Sequence, residues 1–316
     1  MKLLKNISLA ILFLLLLNAC NNPKKSDKNS AEKIEGKITL SGAFALYPLA
    51  NVWAEEFRKE YPDVKFNISA GGAGKGMADV LAGASDLALY SKDISPVEVE
   101  QGAYGFAVTK DAVIPTISSQ NPVIDQIKKE GLTQETLANY FLKNGKKYWK
   151  NTKNEVNVYT RSDASGAAEV WVKYLGGKAQ EELKGIAVFG DPGLAEAVKN
   201  DAKGIGFNNV IYVYDVNSGE KYPGVDVAPI DINGNGTIDP DEDFYHNLGE
   251  ITKAIADGRY PSPPARELFL VSKGKPQSIV VKTFLNWVLT KGQTFVVPNG
   301  YILLDESKIT AEIKKL

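Results

Sequence analysis

The stretch "YTRSDASGAAEVWVKYL", Tyr159 to Leu175, places an arginine among small, hydrogen-bonding residues just before a run of large apolar ones. Arg161 can grip an oxyanion with two parallel hydrogen bonds. Ser165 offers a hydroxyl, and Gly166 and Ala167 offer backbone N–H groups where a helix begins. Asp163 either locks Arg161 by an ion pair or takes a proton from a ligand. The alternative is a helix capped by Asp163 or Ser165, with Arg161 on the surface. Two other loops suit the same chemistry. In "SGAFALYPL" Pro48 falls early in a helix, so the N–H groups near Ala45, Leu46 and Tyr47 point out of the helix start, toward an anion. "SAGGAGKG", Ser69 to Gly76, has glycines at 71, 72, 74 and 76. It is either a cradle of consecutive N–H groups or a plain turn, and it lacks the Gly-Lys-Ser/Thr ending of a nucleotide-binding loop.

A fourth stretch, "DINGNGTIDPDE", fits the side-chain positions of an EF-hand calcium loop: Asp231, Asn233, Asn235, Asp239 and Glu242, with Gly236 at the sharp turn and the Thr237 carbonyl completing the set. The alternative is a polar Asn-Gly turn without metal. "GVDVAPI" before it reads as strand or loop and "FYHNLGEITKAI" after it as helix, so a complete helix–loop–helix is not expected. The ion's expected role is to brace an insertion, with the modest affinity of extracellular modules.

Other chemistries are poorly supplied. The 316-residue chain has one cysteine, Cys20, and one histidine, His246, so neither an internal disulfide nor a Cys-rich zinc site can form. A serine triad would need His246, which lies in "DFYHNLG" with no serine close by in sequence. It reads as an ordinary histidine. Lys and Arg number 37 against 38 Asp and Glu, so no global field favours nucleic acid.

The first twenty residues, "MKLLKNISLAILFLLLLNAC", join a basic start to an apolar run too short to span a membrane comfortably, then end at Ala19 and Cys20. The ending resembles a bacterial lipoprotein box in which Cys20 is acylated. An uncleaved anchor is the alternative. Residues 21–36 are polar and lysine-rich and read as a flexible tether.

The elements that must position these loops follow from periodicity. "KITLS", "VKFNISA" and "DLALYS" read as strands separated by helices over "ALYPLANVWAEEFRKEY" and "MADVLAGA", an α/β unit around a parallel sheet. "YGFAVTKDAVIPTIS" is a long β-rich stretch, and Thr133 to Leu142 is helical. A second α/β unit runs through "EVNVYT", "SGAAEVWVKYL", "GIAVFG", "GLAEAVKN" and "GIGFNNVIYVY". "ELFLVSKG" is a strand and "SIVVKTFLNWVLTKGQTFVV" an amphipathic helix. All three candidate anion loops follow a strand and open a helix, where open α/β sheets bind ligands.

These residues resemble a known family. "SGAFALYPLANVWAEEFRKEYPDVKFNISAGGAGKGMADVLAGASDLALYSKDI", "TKDAVIPTISSQNP", "YTRSDASGAAEVW" and "FLVSKGKPQSIVVKTFLNWVLTKGQTFVVPNGYILL" are similar, in that order, to the phosphate-binding proteins of bacterial ABC phosphate importers. The resemblance covers nearly all of Lys37 to Asp305. It implies a two-lobed, type II-like periplasmic-binding-protein fold with the ligand in a cleft between lobes. The lobes would be 37–115 with 266–316, and 116–265. By position it implies that Ala45, Leu46, Ala73, Ser91, Arg161, Ser165, Gly166 and Ala167 hold phosphate, with Asp163 paired to the arginine. Several hydroxyls usual in the family are missing at Ala43, Phe44, Ala45, Ala73 and Ala167. Ser91 stands where some members carry an aspartate that accepts the proton of hydrogen phosphate, so selectivity against sulfate is expected to be weaker. The functional expectation is a lipid-anchored, non-enzymatic receptor on the outward face of a cell-envelope membrane, handing inorganic phosphate to an ABC permease. Alternatives are a receptor for sulfate, molybdate or tungstate, a calcium-dependent phosphoester hydrolase, and a surface sensor or adhesion lipoprotein.

Overall fold

A computed structural model describes residues 33–150 and 152–316. The expected lipoprotein leader, Cys20 and most of the expected tether lie outside the described residues. Residues 34–316 form one compact unit. No helix among the described residues is long and apolar enough to cross a membrane.

The strands are β1 (Gly36–Gly42), β2 (Val64–Ala70), β3 (Leu87–Tyr90), β4 (Ala103–Ser118), β5 (Asn157–Arg161), β6 (Ile186–Val188), β7 (Gly204–Asn209), β8 (Val225–Val227) and β9 (Ala265–Lys273). The helices are α1 (Tyr47–Glu60), α2 (Ala73–Leu81), α3 (Pro96–Glu100), α4 (Ile124–Glu130), α5 (Gln134–Leu142), α6 (Gly166–Tyr174), α7 (Gly190–Lys199), α8 (Leu248–Ala256), α9 (Ile279–Leu289) and α10 (Glu306–Ile313). The strands are ordered β2-β1-β3-β9-β4-β7-β5-β6, with β8 paired to β4.

The parallel unit expected over the first three strands is present, within a sheet that is mixed as a whole. β1 runs parallel to β2 and β3, and β5 parallel to β6 and β7. The long strands β4 and β9 run antiparallel to each other and to their other neighbours. Each parallel group is a set of strand–helix crossovers, as periodicity indicates; β4 and β9 belong to neither group and cross between them. Two apolar cores flank this crossing. One gathers Ile38, Leu40, Trp53, Phe57, Phe106 and Val108 with Leu268, Leu270 and Phe284. The other gathers Ala112, Val113, Phe141, Trp171, Ile205 and Phe207 with Ala265. They part between Val108 and Ala112 on β4 and between Ala265 and Leu268 on β9.

Two boundaries differ from expectation for local reasons. α2 starts at Ala73, inside the glycine run rather than at Met77. "IYVY" does not extend β7: a 3-10 turn over Val210–Tyr212 ends the strand at Asn209.

Packing between α2 and β1 yields a test. A Cβ at Gly76 would stand 2.6 Å from the Ser41 carbonyl oxygen and 2.7 Å from Gly42 Cα. Helix propensity alone would make Gly76→Ala stabilising by about 1 kcal/mol. Backbone crowding reverses the sign, because neither contact is a flexible side chain. The variant is expected to lose about 1–3 kcal/mol in urea unfolding, and a raised midpoint would refute this packing.

Candidate functional site

β5 ends on Arg161, whose side chain is 1% exposed. Its Nε donates to Asp163 Oδ1 at 2.8 Å, its Nη2 to Asp163 Oδ2 at 2.6 Å and its Nη1 to Asp191 Oδ2 at 2.5 Å. A guanidinium has five N–H donors, so these bonds leave one on each Nη for a ligand. Burial opposes the charge, but Asp191 and Asp163 outweigh it and the Arg161 pKa is raised above its ordinary value. The Phe44 ring covers the guanidinium, with Cζ 5.4 Å from the ring centroid.

The loop after β5 is held from behind. The Gln180 amide donates to the Asp163 carbonyl at 2.6 Å and accepts from Ser165 N at 2.8 Å. Gly190 N donates to Asp163 Oδ1 at 3.0 Å. Ser165 is the N-cap of α6, accepting from Ala168 N. Its hydroxyl proton is therefore left to donate, and capping and ligand contact are compatible. Asp163 locks Arg161 and sits behind it, outside the cavity lining.

Arg161 and Ser165 share a small cavity with Phe44, Ala45, Ala73, Ser91, Gly166, Ala167, Asp191 and Asn209. α2 and α6 open onto it at Ala73, Gly166 and Ala167, whose N–H groups have no intrahelical acceptor. Ala45 is oriented by a tyrosine. Tyr212 Oη donates to the Phe44 carbonyl at 3.0 Å, so the trans peptide turns the Ala45 N–H the opposite way. Burial pushes the Tyr212 pKa up, which keeps that hydroxyl a donor. Leu46 is outside the lining, with its N–H bonded to the Ala43 carbonyl. The glycine loop is not a row of free donors either. Gly71 and Gly72 N–H bond the Gly42 carbonyl and Gly74 N–H bonds the Ala164 carbonyl, leaving Ala73. Its glycines serve close approach: a Cβ on Gly72 would stand 2.7 Å from Asp163 Oδ2, and one on Gly166 2.3 Å from Ser91 Oγ.

Asp191 and Asn209 are site residues that sequence reasoning missed. Asp191 lies in the first turn of α7. Its Oδ1 accepts from Asn209 N at 3.2 Å and its carbonyl from Asn208 Nδ2 at 2.9 Å. The only signal was "GDPG", an acidic residue beside a proline at a helix start. With Asp191 counted, one guanidinium faces two carboxylates. A larger, mostly apolar groove of about 550 Å³, lined by Pro48, Val52, Pro192 and Tyr222, shares no lining residue with this cavity and meets its polar apparatus only at Tyr212.

The calcium-loop residues sit together in a separate loop, and none of them lines the cavity. Asp231 Oδ1 accepts from Gly234 and Asn235 N–H and its Oδ2 from Gly236 N–H; Glu242 Oε1 accepts from Ile232 and Asn233 N–H. Asn233 and Asn235 point their Nδ2 groups at Asp239. No group of three or more His, Cys, Asp or Glu side chains placed to hold a metal occurs among the described residues. His246 is exposed beside Asp243.

A family model, the PBP superfamily domain, matches residues 27–291. The chain belongs to the PBP superfamily. Over 313 residues it is 27% identical to the phosphate-binding protein PstS of Bacillus subtilis, covering 95% of this chain and 93% of that one. Over 345 residues it is 26% identical to PstS of Methanocaldococcus jannaschii, with 90% and 86% covered. A candidate phosphate ABC transporter substrate-binding protein from Clostridium perfringens, solved with bound phosphate, superposes with a TM-score of 0.69 at 20% identity, covering 85% of this chain and 100% of that one. The fold is thus the periplasmic-binding-protein fold, as the sequence resemblance implied.

Removing Asp163 strips the buried guanidinium of its bidentate partner. Asp163→Ala is expected to cost about 3–5 kcal/mol in chemical denaturation, and a loss below about 1 kcal/mol, the worth of an exposed pair, would show that Arg161 does not depend on it.

Proposed function

We propose that this chain is the solute-binding receptor of an ABC phosphate importer, holding inorganic phosphate at Arg161 and releasing it to a permease. The observation that carries this is the buried guanidinium with two unspent N–H groups, facing free N–H groups at the starts of α2 and α6. The PstS relatives, similar over almost the whole chain, support phosphate as the ligand. The arrangement has polar donors around a small cavity and no activated nucleophile among the lining residues, as a capture site requires.

In this reading Asp191 supplies the carboxylate that Ser91 does not. Two carboxylates already outnumber the one guanidinium, so a fully deprotonated dianion is repelled unless a proton lies between an anion oxygen and Asp191 Oδ. Hydrogen phosphate carries that proton and sulfate does not. Closure of the lobes 37–115 with 266–316 and 116–265 around the anion, and attachment to the outward face of a membrane through Cys20, complete the proposal.

Calcium at Asp231–Glu242 is a separate part of it. Asp231 Oδ2 and Glu242 Oε2 each accept a single N–H, from Gly236 and Asp239, and keep a second lone pair free, and buried Asp231 and Glu242 close the loop from its two ends. Millimolar calcium is expected to raise the melting temperature relative to chelator, and Asp231→Ala to remove the shift. Equal melting with and without calcium would dismiss the ion.

The main test is titration calorimetry. Arg161→Ala should weaken phosphate binding by at least about a hundredfold, since charged hydrogen bonds are lost from a desolvated site. Unchanged affinity would remove the assigned role. Asp191→Asn should move preference toward sulfate in competition with phosphate; an unaltered ratio would show that Asp191 does not read the proton.

A further inference from the structure

Asn209 ends β7 with its side chain 1% exposed, on the wall of the anion cavity. Its Oδ1 accepts a hydrogen bond from Arg266 Nη2. Its Nδ2 is buried with no hydrogen-bond partner. The amide cannot be turned over to cure this. A flipped Asn209 would press its NH2 group against a guanidinium, donor against donor. Arg266 is itself fixed: Nε donates to Asp111 Oδ1 at 2.8 Å and Nη2 reaches Asp111 Oδ2 at 3.3 Å, with both side chains almost fully buried. Asp111 and Arg266 are register partners on β4 and β9, in the interval where the two cores part. A buried, unpaired N–H2 costs about 1–3 kcal/mol, so the chain keeps an oriented donor beside Arg161 that nothing in the protein uses.

We propose that the Asn209 side-chain amide donates directly to the bound oxyanion, and that Arg266, held by Asp111, is the positioning residue that keeps this donor facing the cavity. This rests on the anion-receptor reading of the site and adds to it a neutral donor contributed by β7, apart from the three loops. An N–H2 group at this place demands an unprotonated oxygen from the ligand. It therefore fixes the orientation of a singly protonated tetrahedral anion, with its proton turned to another side of the cavity.

Two substitutions at Asn209 test it. Asn209→Ala removes the donor. Asn209→Asp keeps the shape and strengthens the bond to Arg266 while replacing the donor by an acceptor, so it guards against a variant that merely fails to fold. Both are assayed with inorganic phosphate by calorimetry, with circular dichroism and melting of the anion-free protein as the fold check. Expected are a loss of about tenfold to a hundredfold for Asn209→Ala and a larger loss for Asn209→Asp, whose anion-free melting temperature is at least that of the parent. For the positioning role, Arg266→Gln should weaken phosphate binding and Arg266→Lys, which still donates to Oδ1, should restore part of it. Parental affinity in Asn209→Asp overturns the assignment while leaving the receptor reading intact. If the parent protein binds none of phosphate, sulfate, molybdate and tungstate, the receptor reading fails and this inference with it. Equal binding by the two Arg266 variants overturns the positioning role alone.

Discussion

A guanidinium taken out of water must be surrounded by groups that replace its hydration, and in this chain that demand organises everything near Arg161. Burying an isolated cation costs several kcal/mol even after relaxation. Asp163 meets part of the demand with a two-bond fork and Asp191 meets more with a single bond. Each carboxylate must then be held in turn, by Gly190 N–H on one and Asn209 N–H on the other. The second layer thus follows from the first. An apolar core at the same place would be at least as stable, so the retained charge points to a ligand that uses the remaining donors.

Close approach is the companion constraint. Gly72, Gly74, Gly166 and Gly190 all stand where a Cβ would fall under 3.0 Å from an atom of a facing loop: Asp163 Oδ2, Ala164 Cβ, Ser91 Oγ and the Phe44 ring respectively. These contacts bring the loops after β1, β2 and β3 against the loops after β5 and β6. The Phe44 ring meets Phe189 edge-on at 5.8 Å and closes one side. Excluding water in this way raises the strength of every hydrogen bond inside, because the local dielectric falls. Small residues at Ala43, Ala45, Ala73 and Ala167 serve the same end. Where a hydroxyl would have supplied one more donor, they let backbone N–H groups come nearer.

The parts of this legible in the sequence are those whose physics is local. Arg161 ends one strand and Asp163 stands two residues on in the loop that follows, so their pairing and the Ser165 cap could be read from spacing. The strand–loop–helix units were likewise visible, because periods of 2 and 3.6 are short-range. Asp191 and Asn209 were not visible. They lie thirty and forty-eight residues beyond Arg161, and only the crossover through β6 and α7 brings them back to it. Asp191 carries a residue type suited to a helix start, where it also sits, so nothing local marks it as a site residue. The glycine loop stays open between cradle and plain turn in the sequence for a related reason: its N–H groups at 71, 72 and 74 are spent on Gly42 and Ala164, partners that only tertiary structure supplies. The antiparallel course of β4 and β9 escaped because a long β-rich run carries no mark of its direction.

The direction of those two strands explains where the polar machinery had to be. β4 and β9 are the elements shared by both cores, and between Val108 and Ala112 they leave one apolar environment and enter the other. At such a seam side chains cannot interdigitate with either core, so an apolar residue there gains little. A buried ion pair, Asp111 with Arg266, occupies the place instead. Such a pair adds little net stability, but it fixes geometry, because a misplaced partner leaves a bare charge. Through Asn209 it touches the cavity that the cores flank, and through Asn209 N–H it touches Asp191 and so Arg161. The anion cavity and the strand crossing are therefore parts of one buried polar network. Any change in how the two cores meet along β4 and β9 must alter the donors presented to a ligand, and any ligand that engages those donors must favour one arrangement of the cores over others.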